Sequence, residues 1–321
     1  MMLFCGIPSE PPLALAIAAA ERRGVAYLVF NQRDAAHADI ALDVIDGRMI
    51  GALWAWEREW PLANFSAVYS RMIEVEALPE ARARGRTPPD PLALQRSVAL
   101  HQTLNAWIEV MDGKVLNRAR AMASNASKPF QAQIIRQVGF AVPETLVTND
   151  ADEVLRFVAL HGRVIYKSIS SVRSIVREFS PAARTRLPHI CHLPTQFQAF
   201  VPGTNIRVHV VGDAVFPTEI LSDAVDYRYA ARDDMEVSMR PLRLPSTIEE
   251  RCRALSRRLD LPLCGIDLKR TPDGDYYCFE VNPCPAYSYY EEHTGQAIAA
   301  AVVDYMVGGN ARQFGMACAD H

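Results

Sequence analysis

The chain has 321 residues, more than one hydrophobic core usually supports, so we expect two or three packed units. Half of the residues are hydrophobic and 22% are charged, which is ordinary for a soluble globular protein. The net charge of −3 gives no reason to expect a nucleic acid or a membrane as partner, and no apolar run approaches the roughly 18 residues of a membrane-spanning helix.

The cysteines indicate a reducing compartment. There are seven, an odd number, and no two of them form a C-x-x-C pair, so a disulfide framework is not expected. We therefore expect a cytoplasmic protein whose thiols serve mostly as small buried apolar groups.

The first elements in chain order predict a β-α-β unit. Residues 2–7 and 25–30 are apolar runs of strand length, and an alanine-rich helix is expected between them from Pro11 to Arg23, with Gly24 as its stop. This order indicates an α/β unit with parallel pairing. Further strands are expected at 40–45, 49–53 and 66–71, the first two joined by Asp46-Gly47, then a loop at 78–91 and a helix from Asp90 to about Met111.

The rest of the chain divides into two further units. One begins near Leu116, and a pattern of longer strands begins after Pro194, so the fold class is α/β (α+β) with units at 1–115, 116–195 and 196–321. The expected strands lie at 145–148, 164–168, 196–201, 206–211, 214–221, 263–270 and 276–282, and the expected helices follow Ser127 and Asn149 and lie near 247–259 and 296–306.

The segment 265–282, GIDLKRTPDGDYYCFEVN, predicts a hairpin. Asp273-Gly274 is typical of a two-residue type I′ turn, and the resulting register places Asp267 opposite Glu280; a longer loop of 272–275 would keep this register. Side chains alternate along a strand, so one face of the hairpin is polar and the other is apolar. The polar face holds Asp267, Lys269, Glu280 and Asn282, and the core face holds Ile266, Leu268, Phe279 and Val281.

The polar face of this hairpin is a candidate metal site. Two carboxylates directly opposite each other destabilise a sheet unless something neutralises them. Hard divalent cations such as Mg²⁺ take oxygen ligands of this kind, so Asp267, Glu280 and Asn282 are the candidate ligands. An ordinary solvated outer face is the alternative.

These residues resemble the metal-binding end of the ATP-grasp superfamily, in which an Asp, a Glu and an Asn hold two Mg²⁺ ions against ATP. Lys128 is similar to the first nucleotide-binding lysine of that family, and Lys167 in VIYKSIS to the second. Only four lysines occur in the chain, although a solvated amine is the alternative for either. The resemblance implies an ATP-grasp fold over about 116–306, a preceding N-terminal α/β domain, a central lid subdomain and a C-terminal subdomain. It also makes Gln198, Ala199, Phe200 and Val201 the adenine hinge.

Within the superfamily, the segment Asn205-Ile206-Arg207 before VHVVGDAVF is similar to that of RimK-type ligases. The resemblance implies that Arg207 stabilises an acyl phosphate, with a surface ion-pair partner as the alternative for this side chain. Two segments depart from the family. The loop after Lys167 lacks glycine, leaving Ser168 and Arg173 as candidate phosphate contacts, and Tyr227-Arg228-Tyr229-Ala230 keeps only Arg228 as a candidate catalytic residue.

What the resemblance implies is an ATP-dependent carboxylate–amine ligase, of the RimK or ribosomal-peptide-maturase kind, that uses ATP and two Mg²⁺ ions, with Mn²⁺ as an alternative. The substrate would be a small molecule or peptide with a carboxylate, joined to an amine acceptor, and a homodimer would fit the family. Three alternatives stay open: a macrocyclase forming side-chain ester or amide links, a small-molecule kinase on the same scaffold, and a non-catalytic nucleotide-binding module. A complete polar face with Arg207 argues against the last.

Overall fold

The N-terminal unit is built on a parallel sheet. The computed structural model describes residues 1–81, 90–168, 176–221 and 238–308. The strand order is β2-β1-β6-β7, and every pair is parallel. The strands are β1 (Met2–Gly6), β2 (Tyr27–Asn31), β6 (Ala67–Ser70) and β7 (Lys114–Leu116).

Helix α1 (Pro11–Arg22) connects the first two strands and confirms the predicted β-α-β unit. Its first turn is capped by Glu10, whose carboxylate accepts the Leu13 N–H at 3.1 Å. The helix ends before Gly24, which has a positive φ of 61° as predicted.

A three-stranded antiparallel sheet follows β2 in the chain. It consists of β3 (Asp39–Ile45), β4 (Arg48–Ala55) and β5 (Arg58–Pro61). The predicted Asp46-Gly47 turn is present, and both residues have positive φ. The long helix α2 (Pro91–Val110) then packs on this unit, capped by Asp90 as expected.

The central sheet is antiparallel, with the strand order β10-β9-β11-β8. Its strands are β8 (Thr145–Thr148), β9 (Val164–Ser168), β10 (Arg177–Glu178) and β11 (Thr195–Ala199), accompanied by α5 (Ala151–His161) and α6 (Pro181–Arg184). The predicted strands at 145–148 and 164–168 are confirmed.

The C-terminal sheet is larger and also antiparallel, with the order β14-β13-β12-β15-β16. Its strands are β12 (Thr204–Val211), β13 (Ala214–Leu221), β14 (Ser238–Pro241), β15 (Leu263–Arg270) and β16 (Tyr276–Asn282). The helices are α3 (Ala119–Met122), α4 (Lys128–Gln137), α7 (Ser246–Arg258), α8 (Tyr287–Thr294) and α9 (Ile298–Val307).

Helices cover both faces of this sheet. Side chains of α3, α4 and α7 share one core with its inner face, whereas α8 and α9 join the other face to α1 and the parallel sheet. Among the described residues, no helix is both long enough and apolar enough to cross a membrane.

The β15–β16 hairpin confirms one prediction and corrects two. Asp267 pairs with Glu280 as expected, but the predicted two-residue turn is wrong, because Thr271 donates to the Asp275 carbonyl across a three-residue loop. A β-bulge compensates for the odd loop length, since the register shifts next to Asp267 and Leu268 pairs with Cys278.

The bulge also changes which side chains face the core. Cys278 and Val281 are fully buried there, and Phe279, predicted to lie in the core, is instead partly exposed. An inserted residue reverses the alternation of the strand, so Phe279 and Glu280 both leave the core side.

Candidate active site

The Glu280 carboxylate lies between two lysines, one at the start of helix α4 and one on strand β9 of the central sheet. Oε2 of Glu280 is 3.0 Å from Nζ of Lys128 and 3.9 Å from Nζ of Lys167. Burial raises the pKa of the Glu280 carboxyl, but the two lysine charges outweigh it and hold the pKa below its usual value. This group is therefore ionised at neutral pH.

The start of α4 presents Lys128 to this carboxylate. Ser127 caps the helix, as predicted, by accepting the Phe130 N–H at 3.4 Å, which makes Lys128 the first helical residue. The Lys128 ammonium also donates to Oδ1 of Asn125 at 2.8 Å. Its position is thus defined by a carboxylate and an amide.

Arg207 lies beside this group on the neighbouring strand pair. It faces Asp267 across β12 and β15, and its Nη1 is 2.5 Å from Oδ1 of that residue. The guanidinium lies over Gly265, where an added Cβ would be only 2.2 Å from Nη2. Arg207 is 6% exposed, so the surface-residue alternative for it is wrong.

A buried histidine lies behind this arginine. His209 follows Arg207 by two residues on β12, and its ring is 4.7 Å from that of Tyr290. Burial, together with the Arg207 charge, lowers the pKa of His209 well below its usual value. The imidazole is therefore neutral, and Arg207 keeps the positive charge of this strand face.

A cavity of about 250 Å³ opens between the central and C-terminal sheets. Gln196 lies opposite Lys167 in the strand register, and the Gln198 amide donates to the Thr145 hydroxyl at 3.1 Å. The cavity thus has a charged end at the lysines and an apolar wall that includes Phe279. Its lining residues include Lys128, Lys167, Gln196, Gln198, Thr145 and Phe279.

The segment after β11 is held on both sides. The N–H groups of Ala199 and Phe200 donate to the carbonyls of Glu144 and Arg163, each at 2.9 Å. The Val201 carbonyl accepts from Nζ of Lys269 at 3.1 Å. In the described part of the chain no hydrogen bond uses the Val201 N–H or the Phe200 carbonyl.

The candidate metal ligands offer oxygen donors only. Asp267 and Glu280 are adjacent across the hairpin, and Oδ1 of Asn282, at the end of β16, accepts the Cys284 N–H at 2.9 Å. Two carboxylates that already attract three cationic side chains fit a hard divalent cation. No cluster of three or more His, Cys, Asp or Glu side chains occurs within the described ranges.

The structure thus brings most of the predicted site residues together. Ser168 is exposed at the end of β9, and the predicted contacts Arg173 and Arg228 lie outside the described residues. Sequence reasoning missed Gln196 and misplaced Phe279. The alternation of Gln196 with Gln198 on β11 was the available signal for the former.

The sequence has distant curated relatives, although no known family profile matches it. A probable alpha-L-glutamate ligase of Picosynechococcus is 25% identical over 211 residues, which cover 62% of this chain and 68% of that protein. Beta-citrylglutamate synthase B of Danio rerio is 23% identical over 221 residues, or 64% of this chain and 53% of that protein.

Solved structures match nearly the whole chain. The macrocyclase MdnC of Microcystis aeruginosa, bound with its precursor peptide MdnA, has a TM-score of 0.76 at 22% identity, covering 96% of this chain and 100% of MdnC. The ATP-grasp ligase PsnB, complexed with a minimal precursor, Mg and ADP, has a TM-score of 0.76 at 23% identity and covers 96% of each chain. These likenesses confirm the predicted ATP-grasp fold and its α/β class.

Proposed function

Because the chain has the ATP-grasp fold and its sequence resembles that of RimK-like glutamate ligases, we propose that it is an ATP-dependent carboxylate–amine ligase. It would convert a substrate carboxylate into an acyl phosphate, which an amine then attacks to give an amide, ADP and phosphate. One observation carries this proposal: Glu280 lies between Lys128 and Lys167, beside the Asp267–Arg207 pair, at the charged end of the cavity.

ATP would lie along the cavity. Its phosphates carry several negative charges and match the two lysines, which come from α4 and β9. Its base would stack on Phe279 and bind the Phe200 carbonyl and the Val201 N–H, which make no hydrogen bond within the described part of the chain. The Arg163 guanidinium, 3.6 Å above the Phe200 ring, keeps that side chain in place.

The metal would be held by the three oxygen-donor side chains Asp267, Glu280 and Asn282. Bound there as one or two Mg²⁺ ions, or Mn²⁺, it would supply charge neutralisation for the phosphates. The relative PsnB is complexed with Mg and ADP, which supports this assignment. The charges of Lys128 and Lys167 beside Glu280 would further reduce repulsion between the carboxylates and the phosphates.

Arg207 would stabilise the acyl phosphate. Its guanidinium is held by the ion pair with Asp267 and lies 5.8 Å from the Tyr290 ring. Gly265 has no side chain, which leaves room for the guanidinium at this position. A preorganised guanidinium binds two oxygens of a phosphate or carboxylate at once, and it needs no reorganisation when charge develops. Arg228 and Arg173 remain candidate contacts by resemblance only.

We propose a peptide with an acidic side chain as substrate and an amine as acceptor. MdnC and PsnB are both described with precursor peptides, and the curated relatives are named for glutamate and citrylglutamate. A macrocyclase that joins side chains within one peptide is therefore the second candidate.

The six cysteines of the described ranges are all free thiols, which fits the cytoplasm. A homodimer is proposed from family likeness alone.

The test traps the activated carboxylate. The purified protein is incubated with MgATP, hydroxylamine and a pool of amino acids, small acids and acidic peptides, and the products are analysed by mass spectrometry. A hydroxamate that requires ATP, and that the Glu280→Gln variant does not form, is the expected result. A phosphorylated pool member without a hydroxamate would instead identify a kinase.

A further inference from the structure

The strand that carries two of the candidate metal ligands is an edge strand. β16 is the last strand of the C-terminal sheet, so among the described residues its outer side has no neighbouring strand, only an isolated bridge between Ala141 and Tyr277. Glu280 and Asn282 lie on it with Val281 between them, directly after the bulge at Phe279. An edge strand with a bulge next to two repelling carboxylates needs support from elsewhere in the fold.

Gln131 supplies that support with its side chain. Its Nε2 donates to the Val281 carbonyl at 2.7 Å, and its Oε1 accepts the Val281 N–H at 3.1 Å. One amide thus makes both of the bonds that a neighbouring strand would make with this residue. Gln131 is 1% exposed, so water cannot replace either bond.

The same helix also carries Lys128. Gln131 follows Lys128 by three residues in α4, so the two side chains lie on one face of the helix. Lys128 reaches the Glu280 carboxylate, and Gln131 binds the backbone of the next residue. Helix α4 thus contacts both Glu280 and the backbone of β16, the strand that carries Glu280 and Asn282.

Two further contacts hold the ends of the same segment. The Asn117 amide donates to the carbonyls of Leu263 and Pro283, each at 2.6 Å, and the Ala141 carbonyl accepts the Cys278 N–H at 2.9 Å. They lie outside the pair of candidate ligands, whereas Gln131 bonds between them. Of the three, Gln131 is placed to set the spacing of Glu280 and Asn282.

We propose that Gln131 is a positioning residue for the magnesium–nucleotide site. Through its two hydrogen bonds to the Val281 backbone it holds Glu280 and Asn282 in the geometry that binds the metal, and it keeps Lys128 beside them. The proposal rests on the nucleotide and metal part of the function proposed above, and it is independent of the ligase step. Its direct consequence is that Gln131 controls metal affinity without touching the metal.

The test compares two buried glutamines that make the same bonds. Gln32, 3% exposed in the N-terminal unit, donates to the Ile73 carbonyl at 3.0 Å and accepts the Ile73 N–H at 2.9 Å. Gln131→Met and Gln32→Met both remove such an amide, but only the first lies beside the candidate ligands. ADP binding by the full-length variants is measured by calorimetry over a series of Mg²⁺ concentrations, together with thermal unfolding.

We expect Gln131→Met to raise the Mg²⁺ concentration needed for half-maximal ADP binding by about tenfold or more, the usual cost of losing support behind a metal ligand. Gln32→Met lowers thermal stability to a similar degree and leaves the Mg²⁺ dependence unchanged. Gln131→Asn, which stays neutral and keeps the amide but is one methylene shorter than the span to Val281, carries the test if the methionine variant does not fold.

Three results would overturn the proposal. They are an unchanged Mg²⁺ dependence in the folded Gln131 variants, an equal shift in Gln32→Met, and an absence of Mg²⁺-dependent ADP binding in the unaltered protein. The last would also remove the nucleotide part of the proposed function. Mg²⁺-dependent ADP binding without any hydroxamate would contradict the ligase step alone and leave the role of Gln131 intact.

Discussion

The two sheets that flank the cavity differ in how firmly they are packed. The C-terminal sheet shares a core of seventeen buried residues with its helices, and a second core covers its other face. The central sheet has a core of four buried residues in the described ranges. Because α4 packs with the C-terminal sheet, Lys128 and Glu280 belong to the firm unit and Lys167 to the weaker one.

Because the two sheets differ in packing, the contacts of Lys128 and Lys167 with Glu280 are not equally rigid. The 3.0 Å contact of Lys128 with Glu280 is internal to one packed unit, whereas the 3.9 Å contact of Lys167 depends on how two units approach each other. Units with few buried apolar contacts open at lower free energy than well-packed ones. The proposed ATP site would thus combine a firmly packed side, which carries the candidate metal ligands, with a more adjustable side at Lys167.

The largest expected effect on activity comes from substituting the candidate metal ligands in the well-packed C-terminal unit. Glu280→Gln and Asp267→Asn each remove one of the two carboxylates and should lower ATP turnover by at least about 10²-fold. The fold should stay cooperative, because the substitutions are isosteric. ADP release and thermal unfolding measure the two properties, and near-normal ADP production by both variants would contradict the metal assignment.

A slightly smaller effect is expected from displacing Arg207 without changing it. In Gly265→Ala the new methyl group would lie 2.2 Å from Nη2 of Arg207, so the guanidinium must move away from Asp267. A displacement of this size should lower hydroxamate formation by about 10- to 100-fold. Gly24→Ala is the control, since an alanine would be strained at the φ of 61° but its Cβ would meet no atom within 4 Å. Equal activity losses in both would show a general stability effect.

The difference between the lysines can be measured directly. Lys128→Met and Lys167→Met should each weaken ADP binding by about tenfold, the weight of one charge-assisted hydrogen bond. Lys128→Met should also lower the free energy of unfolding by about 2 kcal/mol, since Glu280 loses its nearer partner in a rigid unit. Lys167→Met should lower it by less. Calorimetric binding and urea unfolding decide this, and an equal loss of stability would remove the distinction between the two sides.

Local signals in the sequence predicted the parts of the fold that local physics controls. Proline at the first turn of α1, the Asp46-Gly47 turn and the Ser127 cap each act within a few residues, and each is confirmed. The pairing of Asp267 with Glu280 was also predicted correctly, although through a turn that the structure does not contain. The odd loop and the bulge offset each other, and strand alternation carries no signal for either.

Contacts between distant segments were outside the reach of the sequence. Gln131 and Val281 are 150 residues apart, and Gln32 and Ile73 are 41 apart, so no local pattern marks these amides as backbone partners. The candidate metal ligands were found because they share one polar face of a predicted hairpin, and the lysines were found through the resemblance to the ATP-grasp superfamily. The residues that position them are ordinary glutamines, and nothing in the local sequence marks which glutamine bonds a distant backbone segment.

The smallest effect tests the position of Phe279, on which sequence and structure disagree. If it lines the cavity, Phe279→Ala should raise the KM for ATP by about tenfold, since stacking on a base is worth about 1–3 kcal/mol, and should cost little stability. Phe140→Ala, a fully buried phenylalanine in the core of the same sheet, should cost about 3–5 kcal/mol and leave the KM unchanged. Steady-state kinetics and urea unfolding on both variants separate the two placements. A Phe279→Ala variant as unstable as Phe140→Ala, with a normal KM for ATP, would show that Phe279 lies in the core. It would then contradict both the cavity position of Phe279 and the bulge that places it there.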